Sequence, residues 1–263
     1  MMMSTQYFIN FSNLDQSIGN EQLIATQFDL LKNALINQPN NVDELVDLLS
    51  NAEVNSNTFD TILVAIGALP NEDADSALLQ IAEQYVITLD DETSRENFLA
   101  VLSNTTSLIK PDHMIRSLVE IAMLDQPEID ITLEALNFTE PHQLYESERT
   151  EITHKLNQLI SNSSEEDAAR MLPQLLRFSQ KEQRTEIAKQ SIMKDQPDSM
   201  RNAVLEGIGA GEISASEEMK IVLLGIAKDP NDALSTEAFE ILNYAFDLSH
   251  QELSSLALNI GQN

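Results

Sequence analysis

The chain contains no cysteine, which excludes disulfides, a thiol nucleophile and any cysteine-based zinc site. Tryptophan is also missing and aromatic residues make up only 5% of the sequence, so a core must come from Leu, Ile, Val, Ala and Met. Glycine and proline number 7 and 8 among 263 residues. That is too few for an all-β fold with many Gly/Pro turns, and suits helices joined by short turns. Basic residues are scarce as well: 15 Lys and Arg face 43 Asp and Glu, for a net charge of −28. A nucleic-acid backbone, which is bound by cations that displace counterions, would be repelled. An anionic membrane surface is disfavoured for the same reason. No apolar run approaches the roughly 20 residues that span a bilayer, so no membrane insertion is expected. Residues 1–20 carry no basic start and no long apolar stretch, so a secretory signal is not expected. Either the chain is cytoplasmic, or it is periplasmic or secreted as a processed form.

What remains is a chain with 42% hydrophobic residues, enough for a packed core. Apolar positions follow the helical spacing i, i+3, i+4, i+7. Phe59, Ile62, Leu63 and Ile66 do so, as do Ala74, Ala77, Leu78, Ile81, Ala82 and Tyr85. Met200, Val204, Gly207 and Ile208, then Met219, Leu223 and Ile226, repeat the pattern. Period-two alternation is seen only at Tyr7 to Phe11, a short arm or strand. Prolines 39, 70, 111, 127, 141, 197 and 230 fall between the periodic segments, whereas Pro173 lies inside one and should kink it. Ser164, Ser199 and Ser249 are candidate N-caps, and Ser214 precedes Glu217 at capping-box spacing.

The expected helices pair as 20–37 with 41–50, 56–69 with 73–87, 93–104 with 111–124 and 128–138 with 142–161. They continue as 164–178 with 180–194, 197–210 with 214–228 and 232–247 with 249–260. A phrase recurs between them. Met123-Leu124-Asp125-Gln126-Pro127 is echoed by Met193-Lys194-Asp195-Gln196-Pro197 and by Lys228-Asp229-Pro230, with the prolines 70 and 33 positions apart. One unit of roughly 35 residues fits both spacings, the length of a paired-helix repeat. Longer words recur too: residues 62–68 resemble 204–210, and 78–82 resemble 223–227, at offsets of 142 and 145.

Paired helices, the words Ala65-Ile66-Gly67-Ala68-Leu69 and Gly207-Ile208-Gly209-Ala210, and Asp-Gln-Pro or Asp-Pro between units resemble HEAT and armadillo-type repeats. The resemblance covers most of residues 40–260. It implies an all-α, right-handed helical-hairpin solenoid of about seven helix pairs. Residues 20–263 would form a single solenoid domain behind an arm at 1–19. Tetratricopeptide repeats have a similar length, but their Trp, Gly and Tyr signature is not found in order. A weaker similarity is to the helical superhelix of large lipid-transfer proteins.

Chemistry is hard to find in the sequence. Glu151 and His154 have the Glu-x-x-His spacing of di-iron helical bundles, but the nearest second motif, Asp247 to His250, has Asp in place of Glu. His142 and Glu146 stand one turn apart, as in a surface pair, and His113 beside Pro111 is expected to be solvated. The acidic loops at 72–75 and 90–92 lack the EF-hand order of ligands. Gly207 to Gly211 lacks the Lys-Ser/Thr ending of a phosphate loop and should end a helix instead. No catalytic residue, metal site or cofactor is expected.

Charge is more informative. Residues 1–94 hold Lys32 against fifteen acidic residues, whereas 168–201 hold seven basic residues against four acidic ones. The expectation is a non-catalytic scaffold or adaptor. It would meet a protein partner with a basic surface through Glu72, Asp73, Asp75, Asp90, Asp91 and Glu92. Two other classes remain: a small-molecule or metal-binding accessory module of an enzyme system, and an acidic nucleic-acid mimic that occupies basic proteins.

Overall fold

The structure, a computed structural model, describes isolated positions between 26 and 69 and then residues 70–106, 110–124 and 128–260. Among the described residues there are eleven α-helices and no strand, so the chain is all-α. The expected arm at 1–19 and the expected helix at 41–50 lie outside the described residues. Of the expected helices at 20–37 and 56–69, only single positions such as Asp29, Leu63 and Ile66 are described, and these are helical. By its contacts the chain divides into two compact units, Met1–Ile121 and Ala122–Asn263.

In the first unit, α1 (Asn71–Tyr85) and α2 (Glu92–Ser103) form a hairpin, and α3 (Asp112–Ala122) follows. The apolar stripe of α1 is the one its spacing requires: Leu78, Ile81 and Ala82 have no exposed surface. α1 packs against α2, whose Phe98, Leu99, Val101 and Leu102 are buried as deeply. Each such Leu or Ile taken out of water contributes about 1.5–3 kcal/mol. The open ends of the hairpin are tied by Asp75, which accepts from the Thr106 N–H at 2.7 Å and the Thr106 hydroxyl at 2.8 Å. That contact joins the start of α1 to the residues just beyond α2, so the two helices run antiparallel. The Phe59 and Tyr85 rings meet edge to face, with centroids 6.2 Å apart.

The second unit holds α4 (Ile129–Asn137), α5 (Glu146–Asn162), α6 (Glu165–Phe178) and α7 (Lys181–Ser191). It continues with α8 (Asp198–Gly209), α9 (Glu217–Ala227), α10 (Ser235–Ala245) and α11 (His250–Ile260). Helices two apart in sequence lie side by side. α4, α6, α8 and α10 pack in one row, and α7, α9 and α11 in another. The closest consecutive partners are α5 with α6 and α9 with α10. This shifts the expected pairing by one helix, since 197–210 was to pair with 214–228. Proline marks where a helix stops, but carries no information on which neighbour the next helix packs against; buried faces decide that. Here Met219, Leu223 and Ile226 of α9 and Ala238 and Leu242 of α10 are the buried positions.

Two helix ends correct the sequence expectation. Ser216, not Ser214, caps α9 by accepting from the Met219 N–H at 3.2 Å. Ser199 lies inside the first turn of α8, which starts behind Pro197. Ser164 does cap α6, and α6 runs on through Pro173 to Phe178. At the end of α8 the Gly-rich word performs a turn. Gly211 takes φ 77°, Glu212 donates to the Gly207 carbonyl at 2.9 Å, and Gly211 to Ile208 at 3.0 Å. This is a Schellman end, which needs a residue free to adopt left-handed backbone. Gly207 is small for a different reason: a Cβ there would sit 2.8 Å from Ile213 Cδ1, which folds back over it.

One ion pair in this unit is fully buried. Arg201 and Asp232 have side chains 3% and 2% exposed. The guanidinium donates to both Asp232 oxygens, at 2.8 and 2.6 Å, to Asp198 at 2.9 Å and to the Ile192 carbonyl at 3.1 Å. Asp232 also accepts from the Leu234 N–H at 3.0 Å, ahead of α10. Burial pushes the Asp232 carboxyl up, but the Arg201 hydrogen bonds outweigh it and hold the group below its usual value. The pair thereby joins the end of α7, the body of α8 and the start of α10. Replacing Asp232 by Ala would leave Arg201 charged and unpaired in the interior. Chemical denaturation should then show a loss of about 3–5 kcal/mol.

Glu252 supplies a pH-dependent tie nearby. Its Oε2 accepts from the Ser249 N–H at 2.6 Å, and its Oε1 faces Lys220 Nζ at 3.1 Å. The Ser249 hydroxyl and backbone bonds, and then Lys220, lower its carboxyl from 4.5 to about 2. A depressed carboxylate stabilises the fold above its unfolded value, and that stability fades as pH falls through the folded value. Stability should therefore decline between about pH 4.5 and pH 2. An acid titration of Glu252→Gln should lack the part of the decline that belongs to this group.

Candidate functional site

The six acidic residues expected to meet a partner fall into two groups. Glu72, Asp73 and Asp75 lie in the first turns of α1, whereas Asp90, Asp91 and Glu92 lie at the turn into α2. The 15 residues of α1 separate the two groups by roughly 22 Å along the helix axis. Two of the six have structural duties: Asp75 holds Thr106, and Asp91 caps α2 by accepting from the Ser94 N–H at 2.9 Å. Glu72, Asp73, Asp90 and Glu92 are exposed, and acidic residues in a first turn are favoured by the helix dipole. Asp91→Ala should cost about 1 kcal/mol in thermal unfolding, the usual value of a lost N-cap. Asp90→Asn should stay within about 0.5 kcal/mol.

The basic segment 168–201 is largely consumed inside the second unit. Arg170 pairs with Asp130 and Asp167, and Lys189 with Glu186 and Glu218. Lys194 reaches Asp229 at 2.5 Å. Arg177 donates to the Leu136 and Thr139 carbonyls and to Glu140, and lies 5.3 Å from the Phe178 ring centroid. Arg184 donates to the Arg177 and Ser179 carbonyls, both at 3.2 Å. A positive patch on this segment, expected from its local excess of charge, is therefore mostly neutralised by neighbours close in space.

Glu151 and His154 are exposed on α5, and His154 Nε2 is 2.9 Å from the Gln158 amide. His113, expected to be solvated, hydrogen-bonds Glu83 through Nε2. Glu146 does not turn to His142 but accepts from Gln180, just ahead of α7, at 3.1 Å. Among the described residues no three His, Asp or Glu side chains stand close enough to hold a metal ion.

A cleft lies between α5 and α7, close to these groups, and no motif in the sequence marks it. Its larger chamber has a volume of about 400 Å³ and is lined by Thr150, Thr153, His154, Asn157, Gln183 and Ile187, among others. A smaller chamber of about 60 Å³ adjoins it, between Glu146, Arg149, Phe178 and Gln180. Phe178 and Ile187 supply apolar surface, and the rest of the lining is amide, hydroxyl, imidazole or charged. Arg149 Nε is buried without a hydrogen-bond partner, as are the Nε atoms of Arg95 and Arg184; those two arginines donate to carbonyl oxygens through their terminal nitrogens instead. Sequence reading passed over Arg149 because it has acidic neighbours at Glu146, Glu148 and Glu151. That spacing suggests ordinary helix-surface pairing, and pairing depends on rotamers that sequence does not reveal.

No family model matches the chain, and no curated protein or solved structure is significantly similar to it.

Proposed function

We propose that the chain is a non-catalytic protein-interaction module, a scaffold or adaptor built from HEAT-like helix pairs. The observation that carries this reading is the packing of α4–α11, in which alternate helices stack in rows. Such stacking extends by adding neighbours and leaves long helix faces open to a partner. About seven pairs wound in a right-handed sense would account for residues 20–263. The partner is a protein with a basic surface. Of the formal −28, the carboxylates of Glu72, Asp73, Asp90 and Glu92 are exposed on the first unit and free to act at a distance. Because they form two groups, they steer a partner rather than bind it in one place. Exposed charges act over a Debye length of about 8 Å at physiological salt, so their effect falls on the association rate.

The test is to capture basic proteins from the native organism at low and high salt, and to measure association kinetics with those retained. The variant Glu72→Gln/Asp73→Asn/Asp90→Asn/Glu92→Gln spares the two structural carboxylates. It should fold normally, associate more slowly at low salt and match the wild type at high salt. Equal rates at every salt concentration would mean that the acidity serves solubility alone. Capture limited to nucleic-acid-binding proteins through their nucleic-acid site would favour mimicry of a nucleic acid.

A further inference from the structure

The turn between α1 and α2 carries more apolar surface than the fold uses. None of its 3-10 residues, Val86, Ile87 and Thr88, is buried. Ile87 has 88% of its surface exposed, the largest share of any large apolar residue among the described residues. Val86 and Leu89 beside it are half-buried. Turns are ordinarily built from Gly, Pro, Asn, Asp and Ser, whose backbone freedom or polar side chains serve the turn itself. An isoleucine held in water contributes nothing to the core. Exposed apolar residues scattered singly are common, but two further observations set Ile87 apart from Ile221 and Tyr244, which are exposed on helix faces of the second unit.

The first is that the turn is fixed. Arg95 Nη1 donates to the Leu89 carbonyl at 2.8 Å and to the Asp90 carbonyl at 3.1 Å. The Asp91 N–H donates to the Thr88 carbonyl at 3.0 Å, and the Asp91 side chain caps α2. Ile87 is thus presented on an ordered backbone, which lowers the entropy lost when a partner covers it. The second is the charge beside it. Asp90 and Glu92 are exposed, whereas Asp91 is committed to the cap and Arg95 to the two carbonyls. An apolar side chain flanked by two open carboxylates is complementary to an apolar pocket with Lys or Arg at its rim. An apolar centre inside a polar rim is also where interfaces concentrate their binding energy.

We propose that the α1–α2 turn is the docking point of the first unit: Ile87 enters an apolar pocket of a partner protein, and Asp90 and Glu92 meet basic side chains at the rim of that pocket. This rests on the protein-interaction reading above and gives it a contact point. The two parts divide the kinetics. Rim charges act on the association rate, whereas burial of the apolar side chain acts on dissociation. The experiment places the photo-crosslinker p-benzoylphenylalanine in the full chain at position 87 and, as exposed controls, at positions 221 and 244. Each protein is irradiated in an extract of the native organism at low salt. Proteins joined at position 87 are identified, purified and measured by surface plasmon resonance against the wild type, Ile87→Ser and Asp90→Asn/Glu92→Gln. Both variants should melt like the wild type, because the altered side chains are exposed. Adducts are expected at 87 and not at 221 or 244. Ile87→Ser should dissociate roughly tenfold faster with an unchanged association rate. The double variant should associate about threefold more slowly at low salt and dissociate like the wild type. Unchanged dissociation of Ile87→Ser, or equal adducts at all three positions, would overturn the docking point. Adducts confined to 221 or 244 would overturn it too and leave the protein-interaction reading standing. If no adduct forms at any position the docking point is likewise overturned, while the salt-dependent capture described above still decides the wider reading.

Discussion

The structure depends on where it places its few cations. Among the described residues, five basic side chains reach carbonyl oxygens at or just beyond the C-terminal end of a helical segment. Arg95 holds Leu89 and Asp90 after α1, and Arg177 holds Leu136 and Thr139 at the end of α4. Arg184 closes α6, Arg201 closes α7 and Lys220 closes α10 through Asp247. These are the positions where unpaired carbonyls and the negative end of the helix dipole coincide, so a cation there satisfies both. Several of the same side chains then carry on to a carboxylate: Glu140, Asp232 or Glu252. Helix end, loop and neighbouring helix are thereby fixed by one group.

This placement explains how a chain with net charge −28 remains packed. Carboxylates are tolerated on exposed faces and at helix starts, where the dipole favours them. Cations are concentrated where carbonyls gather. Repulsion is thus kept at the surface, where solvent screens it, and attraction is used in partly buried sites, where it is less screened. The local excess of Lys and Arg at 168–201 is largely spent on carboxylates and carbonyls within the second unit.

Much of the helix map was legible in the sequence. From 71 onward each expected helix is found within a few residues, because apolar spacing and proline breaks are local signals. A few positions of the recurring words share their burial. Leu78 and Leu223 are both fully buried, and Leu63 and Leu205, or Ile66 and Ile208, share their burial. What could not be read was anything carried by side-chain direction across space. Ser216 rather than Ser214 caps α9 because Gly211 and the fold-back of Ile213 reset the start of the helix. The partnering of α9 with α10 depends on which faces meet. The α5–α7 cleft was illegible for the same reason: only the packing of the two helices brings Thr150 and Thr153 to one cavity with Gln183 and Ile187.

Stacking between alternate helices has a consequence for how such a chain can change over generations. Within the second unit a helix meets mainly its sequence neighbours and the helices two steps away. Deleting or duplicating two consecutive helices would therefore hand each remaining helix a neighbour of the same kind. Length becomes adjustable in whole pairs, and an insertion of a single helix would instead exchange the rows and misplace every buried face beyond it. Arg201 narrows where such an event can fall, since its contacts run from Ile192 to Asp232 and require α8 and the loop before α10 to be inherited together.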